Sequence, residues 1–284
     1  MTPMSTVSDI LQSGERALDG SSDSARLDAE MLLAKILGLP RSGLIARGDE
    51  PVAIEHERAY ASLIDERLRG APVAYLTGTR EFWSLPLRVT PAVLVPRPET
   101  EILVDLALQR LPRDRWNSVL DLGTGSGAIA LAIASERPSS RVTGVDISPP
   151  ALEVARQNSR ELGLAHVDWR LGSWFAPVSG ERFDMIVANP PYVAADDPAL
   201  ERLQAEPAIA LCVGPTGLEA LSAIAGAAAA HLLKEGWLIL EHGSDQAPAV
   251  ARLLERHGFA RISSHLDFSG KPRVTLGTLH SQPH

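Results

Sequence analysis

Val119-Leu120-Asp121-Leu122-Gly123-Thr124-Gly125-Ser126-Gly127 is the stretch on which the fold turns. It ends a predicted strand and opens a predicted helix. Glycines in such a turn let the backbone double back and approach a ligand with no Cβ in the way. The helix N-terminus behind them offers unpaired N–H groups. That setting suits a nucleotide-like ligand at the carboxyl end of a parallel sheet, and a bare strand-to-helix connection is the alternative on the loop alone. The spacing separates two kinds of ligand. A dinucleotide fingerprint reads Gly-x-Gly-x-x-Gly, whereas here it is Gly-x-Gly-x-Gly, with Ala128 where the third glycine would fall. Asp121 also stands where the dinucleotide pattern commonly has an apolar residue.

Outward from the loop the pattern is strand, turn, helix, repeated. Strands are expected at Ser118–Leu122, Arg141–Ile147, Val167–Leu171, Phe183–Ala188, Gly236–Glu241, Arg261–Leu266 and Arg273–Leu279. Helices are expected in the first five gaps, the third being short. The last two strands are joined by a short loop containing Gly270 and should pair antiparallel. Such alternation implies an α/β fold with a mostly parallel, seven-stranded sheet covered on both faces. Asp146, at the end of the second strand, can accept both hydroxyls of a ribose, or cap the segment opening at Ser148-Pro149, or both. Trp174 follows the third strand and can meet an adenine ring or lie in the core.

The fourth strand runs directly into Asn189-Pro190-Pro191-Tyr192. Two prolines remove two backbone donors and fix φ, which leaves carbonyls in a rigid turn. Asn189 adds a side-chain acceptor and Tyr192 a flat aromatic face. A ring of acceptors suits a planar nitrogen, whose lone pair is delocalised and whose nucleophilicity is poor. Accepting its two N–H protons at Asn189 and at the Pro190 carbonyl would align it and return electron density to nitrogen. The other reading is a proline-rich surface turn. Glu241 and His242, at the end of the fifth strand, are expected to orient the site or satisfy loop hydrogen bonds rather than to act as an acid/base pair.

Ahead of the sheet, residues 1–78 read as helical and carry no evident chemistry. Ser24 is expected to cap a helix ending near Gly38, with Leu27, Met31 and Ala34 on one stripe. A second helix spans about Ile54 to Arg69, with Tyr60, Leu63, Ile64 and Leu68 at helical spacing. Residues 81–95 read as a hairpin within a linker over 79–98, and a helix opens at Pro96-Arg97-Pro98-Glu99-Thr100-Glu101 and runs to about Leu111. The sheet domain then occupies 99–284.

Composition bounds the function. Of 284 residues, 27 are Lys or Arg and 35 are Asp or Glu, a net charge of −8 that disfavours a nucleic-acid partner. The single cysteine, Cys212, forbids a disulfide within the chain and makes a cysteine-based zinc site very unfavourable. The histidines show no metal-ligand spacing. No apolar run is long enough to span a bilayer, and Met1–Ser13 lacks the pattern of a signal peptide. A cytoplasmic monomer with no metal is expected.

Together these residues resemble a class I (Rossmann-like) S-adenosylmethionine-dependent methyltransferase, and more specifically the HemK/PrmC family of release factor N5-glutamine methyltransferases. The resemblance covers nearly the whole chain. It runs from the helical N-terminal region through Arg80-Glu81-Phe82-Trp83, Val95–Glu101, Asp121–Gly127, Asp146, Trp174-Phe175, Asn189–Tyr192, Glu206-Pro207 and Glu241-His242-Gly243 to Arg273–Gly277. Asn-Pro-Pro-Tyr is shared with DNA adenine methyltransferases, and the Pro-Arg-Pro-Glu-Thr-Glu segment is the more specific part. The resemblance implies methyl transfer to the glutamine of the Gly-Gly-Gln motif of class I release factors, with S-adenosylhomocysteine as product. It implies that Gly123, Thr124, Gly125, Ser126, Gly127, Asp146 and Trp174 hold the cofactor. It implies that Asn189, Pro190, Pro191 and Tyr192 hold the glutamine amide, with Asn189 near the transferred methyl as well. The N-terminal helices would dock the substrate. Ser173 departs from the family, which often has an acidic residue there, and this weakens any expected contact with the adenine amino group. A methyltransferase of an exocyclic amine in nucleic acid and a non-catalytic binding module are the competing readings.

Overall fold

A computed structural model describes residues 5–113 and 115–279. The chain divides into two units, Met1–Thr79 and Arg80–His284. Of the stretch Met1–Ser13, residues 1–4 lie outside the described residues.

The first unit is all helical: α1 (Val7–Leu18), α2 (Ala25–Leu37), α3 (Arg41–Ala46), α4 (Ile54–Leu68) and α5 (Val73–Thr77). Thr6 and Asp9 form a reciprocal capping box on α1. The core gathers Leu18, Leu32, Leu33, Leu44, Tyr60 and Ile64. Gly14 admits the Tyr60 ring so closely that a Cβ there would sit 1.9 Å from the phenol oxygen. Two expectations fail on α2. Its inward residues are Ala29, Leu32, Leu33 and the expected Ala34, while Leu27 is exposed and Met31 only half-buried. Ser24 occupies the N-cap without capping. Its hydroxyl instead donates to Asp28 at 2.8 Å, because the buried Asp28, paired with Arg67 at 2.8 Å, claims every nearby donor.

The second unit opens with the hairpin β1 (Thr79–Phe82) and β2 (Leu85–Arg88), joined through Trp83 and Ser84 with φ of 53° and 59°. After it come α6 (Glu101–Leu108), β3 (Ser118–Leu122), α7 (Ala128–Glu136), β4 (Arg141–Asp146), α8 (Pro149–Glu161), β5 (Asp168–Leu171) and β6 (Phe183–Ala188). The chain continues through α9 (Ala199–Arg202), α10 (Glu219–Ala228), β7 (Leu232–Glu241), α11 (Ala247–Arg256), β8 (Phe259–Leu266) and β9 (Pro272–Leu279). Seven strands form one sheet in the order β5-β4-β3-β6-β7-β9-β8. The first five are parallel, and β9 is antiparallel to both β7 and β8. Fold class and strand count agree with the sequence reading.

Every residue of β3 is buried, as a strand flanked by parallel neighbours and covered on both faces must be. Two apolar clusters lie on its opposite sides, one around Leu103, Ile129, Leu131 and Ile133, the other around Leu120, Phe183, Leu221 and Leu254. Among the described residues, no helix is long and apolar enough to cross a membrane.

Several bounds shift by one or two residues, and three elements differ from expectation by more. The helix after Glu101 stops at Leu108 rather than Leu111, because the buried Arg137 guanidinium takes the carbonyls of Leu108 and Leu111 at 2.6 and 2.7 Å and ends the turn. The third gap holds only a 3₁₀ turn, Ala176–Val178, where Pro177 removes a donor and packs so tightly on Gly172 that a Cβ there would lie 2.4 Å from it. Strand β7 begins at Leu232, four residues early, because pairing with β6 continues across a bulge in which Glu235 adopts φ of 63°.

Candidate active site

The polar residues singled out in the sequence collect at the carboxyl ends of β3, β4, β6 and β7, where a parallel sheet opens its crevice. Below β3, Gly123, Gly125 and Gly127 adopt φ of 70°, 56° and 84°, a region that side chains disfavour. The loop is stitched back onto β4. The amides of Gly123 and Thr124 donate to the Val145 carbonyl at 2.8 and 3.0 Å, and that of Gly125 donates to Asp146 Oδ2 at 2.8 Å. The Thr124 hydroxyl donates to Asp121 Oδ2 at 2.6 Å. Asp121 is fully buried, and burial pushes its carboxyl up to about 7.

Asp146 does two things at once. Oδ2 holds the glycine loop while Oδ1 accepts from the amide of Ser148 at 2.9 Å, and the Ser148 hydroxyl caps α8. Burial raises its pKa, and the hydrogen bonds from Ser148 and Gly125 oppose this.

A cavity of about 370 Å³ lies against these groups, lined by Gly123, Thr124, Gly125, Ser126, Asp146, Trp174, Asn189 and Pro191 among others. Three expected residues stand behind the lining. Gly127 begins α7, and a Cβ there would meet Trp169 at 2.9 Å. Pro190 is buried. Tyr192 packs against the apolar cluster and donates its hydroxyl to Glu241 Oε1 at 3.3 Å. Trp174 holds a left-handed φ of 44°, and a Cβ on Gly123 would come within 3.6 Å of its ring. Ser173 lines the cavity beside it.

Pro96, Arg97 and Thr100 of the Pro-Arg-Pro-Glu-Thr-Glu segment line the cavity. Arg97 pairs with the buried Glu206, which also accepts from the Val95 amide at 3.0 Å. Thr100 accepts from Asn189 Nδ2 at 3.2 Å. Glu101 accepts from the Trp83 amide in the hairpin turn at 2.8 Å. Pro207, Ile209, Ala210 and Val213, downstream of Glu206, complete the wall. Neither Thr100 nor the Arg97–Glu206 clasp could be assigned a role from the sequence, although the unusual composition of the segment marks it.

Glu241, 1% exposed, sits at the end of β7 behind Asn189 and Tyr192. Burial pushes its carboxyl up to about 7, while the Thr100 hydroxyl, the Arg273 guanidinium and the Tyr192 hydroxyl draw it down. Burial and the neighbouring Glu241 charge raise the Tyr192 hydroxyl. Both ring nitrogens of His242 are engaged. Its Nδ1 donates to the Gly243 carbonyl at 2.8 Å and its Nε2 accepts from the Thr275 hydroxyl at 2.8 Å, itself bonded to Ser264 at 2.7 Å. Burial lowers its pKa, so the ring stays neutral and braces the turn.

Residues 9–78 match the PrmC N-terminal domain and residues 100–210 the methyltransferase small domain. The release factor glutamine methyltransferase of Xylella fastidiosa (strain Temecula1) is 48% identical over 89% of this chain and 92% of its own. This chain belongs to the release factor glutamine methyltransferase family. The family member from Pseudomonas aeruginosa is 46% identical over 96% of this chain and 99% of its own. The crystal structure of a methyltransferase from Pyrococcus furiosus superposes with a TM-score of 0.54 over 78% of this chain and 100% of that one, at 16% identity, a likeness of fold alone.

Proposed function

We propose that this chain transfers a methyl group from S-adenosylmethionine to the side-chain amide nitrogen of the glutamine in the Gly-Gly-Gln motif of class I release factors. Family membership supports the reaction class, and the pairing of Asn189 with Thr100 at the rim of the cavity is the observation that carries the reading.

The residues present fit the cofactor. Left-handed glycines leave a cradle that side chains would fill, and the half-buried Asp146 carboxylate, which lines the cavity, can take further donors. Gly123 to Ser126, Asp146 and Trp174 would hold the cofactor. When bound, S-adenosylmethionine supplies an electrophilic methyl group on a sulfonium.

The chain's own residues prepare the nucleophile. Asn189 Oδ1 and the Pro190 carbonyl accept the two N–H groups of the substrate amide, fixing the nitrogen and enriching it in electron density. The two prolines keep the turn rigid. The displaced proton leaves through the same acceptors once nitrogen has been substituted, so no strongly basic side chain is needed. Residues 1–78 dock the release factor, and the domain comprising residues 99–284 performs the chemistry.

The test is incubation of a class I release factor with this protein and S-adenosylmethionine, followed by peptide mass spectrometry. One methyl group on the Gly-Gly-Gln glutamine is expected, and an unmodified glutamine would end the reading.

A further inference from the structure

Among the described residues of the second unit, exposed apolar side chains are unequally distributed. At the carboxyl end of the sheet stand Ile147 just after β4, Leu171 at the end of β5, and Ile209 and Val213 in the cavity wall. Leu266 and Phe268 stand at the same end, where β8 turns into β9. Trp116 and Leu233 stand at the amino end. A single exposed apolar residue needs no explanation, but a concentration on the end that carries a site marks a surface that another molecule covers. Ile147, Ile209 and Val213 line the cavity and face what fills it, whereas Leu266 and Phe268 lie outside its lining. Phe268 is 86% exposed and Leu266 57%.

Strand register gives their distance from the reacting group. Ala188 is level with Leu240, Glu241 with Val274, and Val274 with His265. Asn189, one residue past Ala188, therefore heads a row that crosses β7 and β9 to the end of β8. Three strand spacings make that row about 14 Å long. About four residues of fully extended chain cover the same distance. A glutamine with two neighbours on either side falls short of Leu266, whereas a folded protein reaches both points.

The turn is built to hold its shape. Asp267 is buried, and its Oδ1 accepts the amides of Ser269 and Lys271, both at 2.9 Å. Its Oδ2 accepts from Arg273 Nη2 at 3.3 Å, and its own amide donates to the Lys271 carbonyl at 2.7 Å. Arg273 Nη1 in turn donates to the His242 carbonyl at 3.5 Å, which ties the turn to the end of β7. Asp267 and Arg273 satisfy each other, so the tip offers chiefly hydrocarbon. An anchor ordered before contact loses little freedom on binding.

We propose that Leu266 and Phe268 are a second contact point for the protein substrate. Phe268 enters an apolar depression on the folded release factor, outside its Gly-Gly-Gln motif, and so sets the glutamine in register with Asn189. The proposal rests on the amide-methylation reading given above.

The test measures methylation of a full-length release factor by the parent, by Phe268→Ser and by Trp116→Ser, which alters an exposed aromatic at the opposite end of the sheet. Phe268→Ser is expected to raise the KM for release factor about 10-fold. Its kcat and cofactor Kd should stay within about twofold of the parent, because the side chain touches substrate and no reacting atom. Trp116→Ser should change none of these. Binding of release factor in the presence of S-adenosylhomocysteine, titrated by calorimetry, needs no turnover and should weaken by the same factor in Phe268→Ser. An unchanged KM in Phe268→Ser, or an equal rise in Trp116→Ser, overturns the proposal. If Phe268→Ser lowers the thermal midpoint, Leu266→Ser is read by the same criteria. If the parent leaves release factor unmethylated, the reaction reading has failed, and the titration alone decides. A Kd weakened about 10-fold by Phe268→Ser then upholds the contact, and an unchanged Kd or no binding at all ends it.

Discussion

The glycine loop after β3 and the Asn-Pro-Pro-Tyr turn after β6 sit side by side at one end of the sheet, yet they are made in opposite ways. The loop presents backbone. Its shape comes from three left-handed glycines and from amides tied to Val145 and Asp146. The turn presents a single side-chain amide, and that amide is aimed by Thr100 from 89 residues earlier in the chain. A surface built from backbone changes when glycine geometry changes and tolerates much else. A surface built from one oriented side chain depends on a few atoms. Binding should therefore follow the first region and turnover the second.

The sharpest way to break that division is Asn189→Ala. It removes the aimed acceptor, so kcat should fall by about 10²–10³ while cofactor affinity stays near the parental value. Full turnover would show that the turn does not position the amide. Asp146→Ala should do the reverse. It deletes the acceptor that ties the loop to α8. Cofactor binding measured by calorimetry should weaken by about 10–100-fold, with kcat at saturation changing less. Gly127→Ala probes the foundation of the loop. The alanine would have to adopt φ of 84° and place its Cβ 2.9 Å from Trp169. A loss of about 1–3 kcal/mol in urea unfolding is expected.

The smallest effect should come from Asp121→Asn. The folded carboxyl titrates at about 7, against 3.8 for the ordinary group. The folded chain thus holds this proton more tightly than the unfolded chain. The burial cost of ionising Asp121 grows as pH rises from about 4 through 7. Asparagine removes that cost, so the variant should gain on the parent progressively as pH rises between 5 and 8. A gain independent of pH would assign the effect to something other than this carboxyl.

The two regions also differ in how far the sequence exposed them. The glycine loop is contiguous, its spacing carries its geometry, and the strands around it alternate legibly with helices. Asn189-Pro190-Pro191-Tyr192 could be placed at a strand end for the same reason. What the sequence hid were the partners across the sheet. Thr100 and Glu206 lie on no strand and take their roles from the segments that the fold brings to the cavity, which local pattern does not encode; Glu241 is legible as an orienting residue at a strand end, its partner Tyr192 is not. In α2 the expected stripe failed for a related reason. Leu27 and Met31 satisfy helical spacing, but the helix turns Ala29, Leu32, Leu33 and, of the expected stripe, only Ala34 inward, with Asp28 buried beside them for Arg67. Which of two plausible faces is buried depends on the neighbours.

The position of β9 has a consequence for how the protein comes into being. It follows β8 in the chain, but it lies between β7 and β8, pairs Val274 with Glu241, and places Arg273 beside that carboxylate. Among the described residues, the last strand to emerge during synthesis is an interior one. Until it has left the ribosome, β8 lacks the neighbour it has among the described residues and β7 keeps an open edge, which is the kind of edge that invites pairing with other chains. A nascent chain can thus assemble its glycine loop and its Asn-Pro-Pro-Tyr turn well before the carboxylate behind them acquires its cationic neighbour.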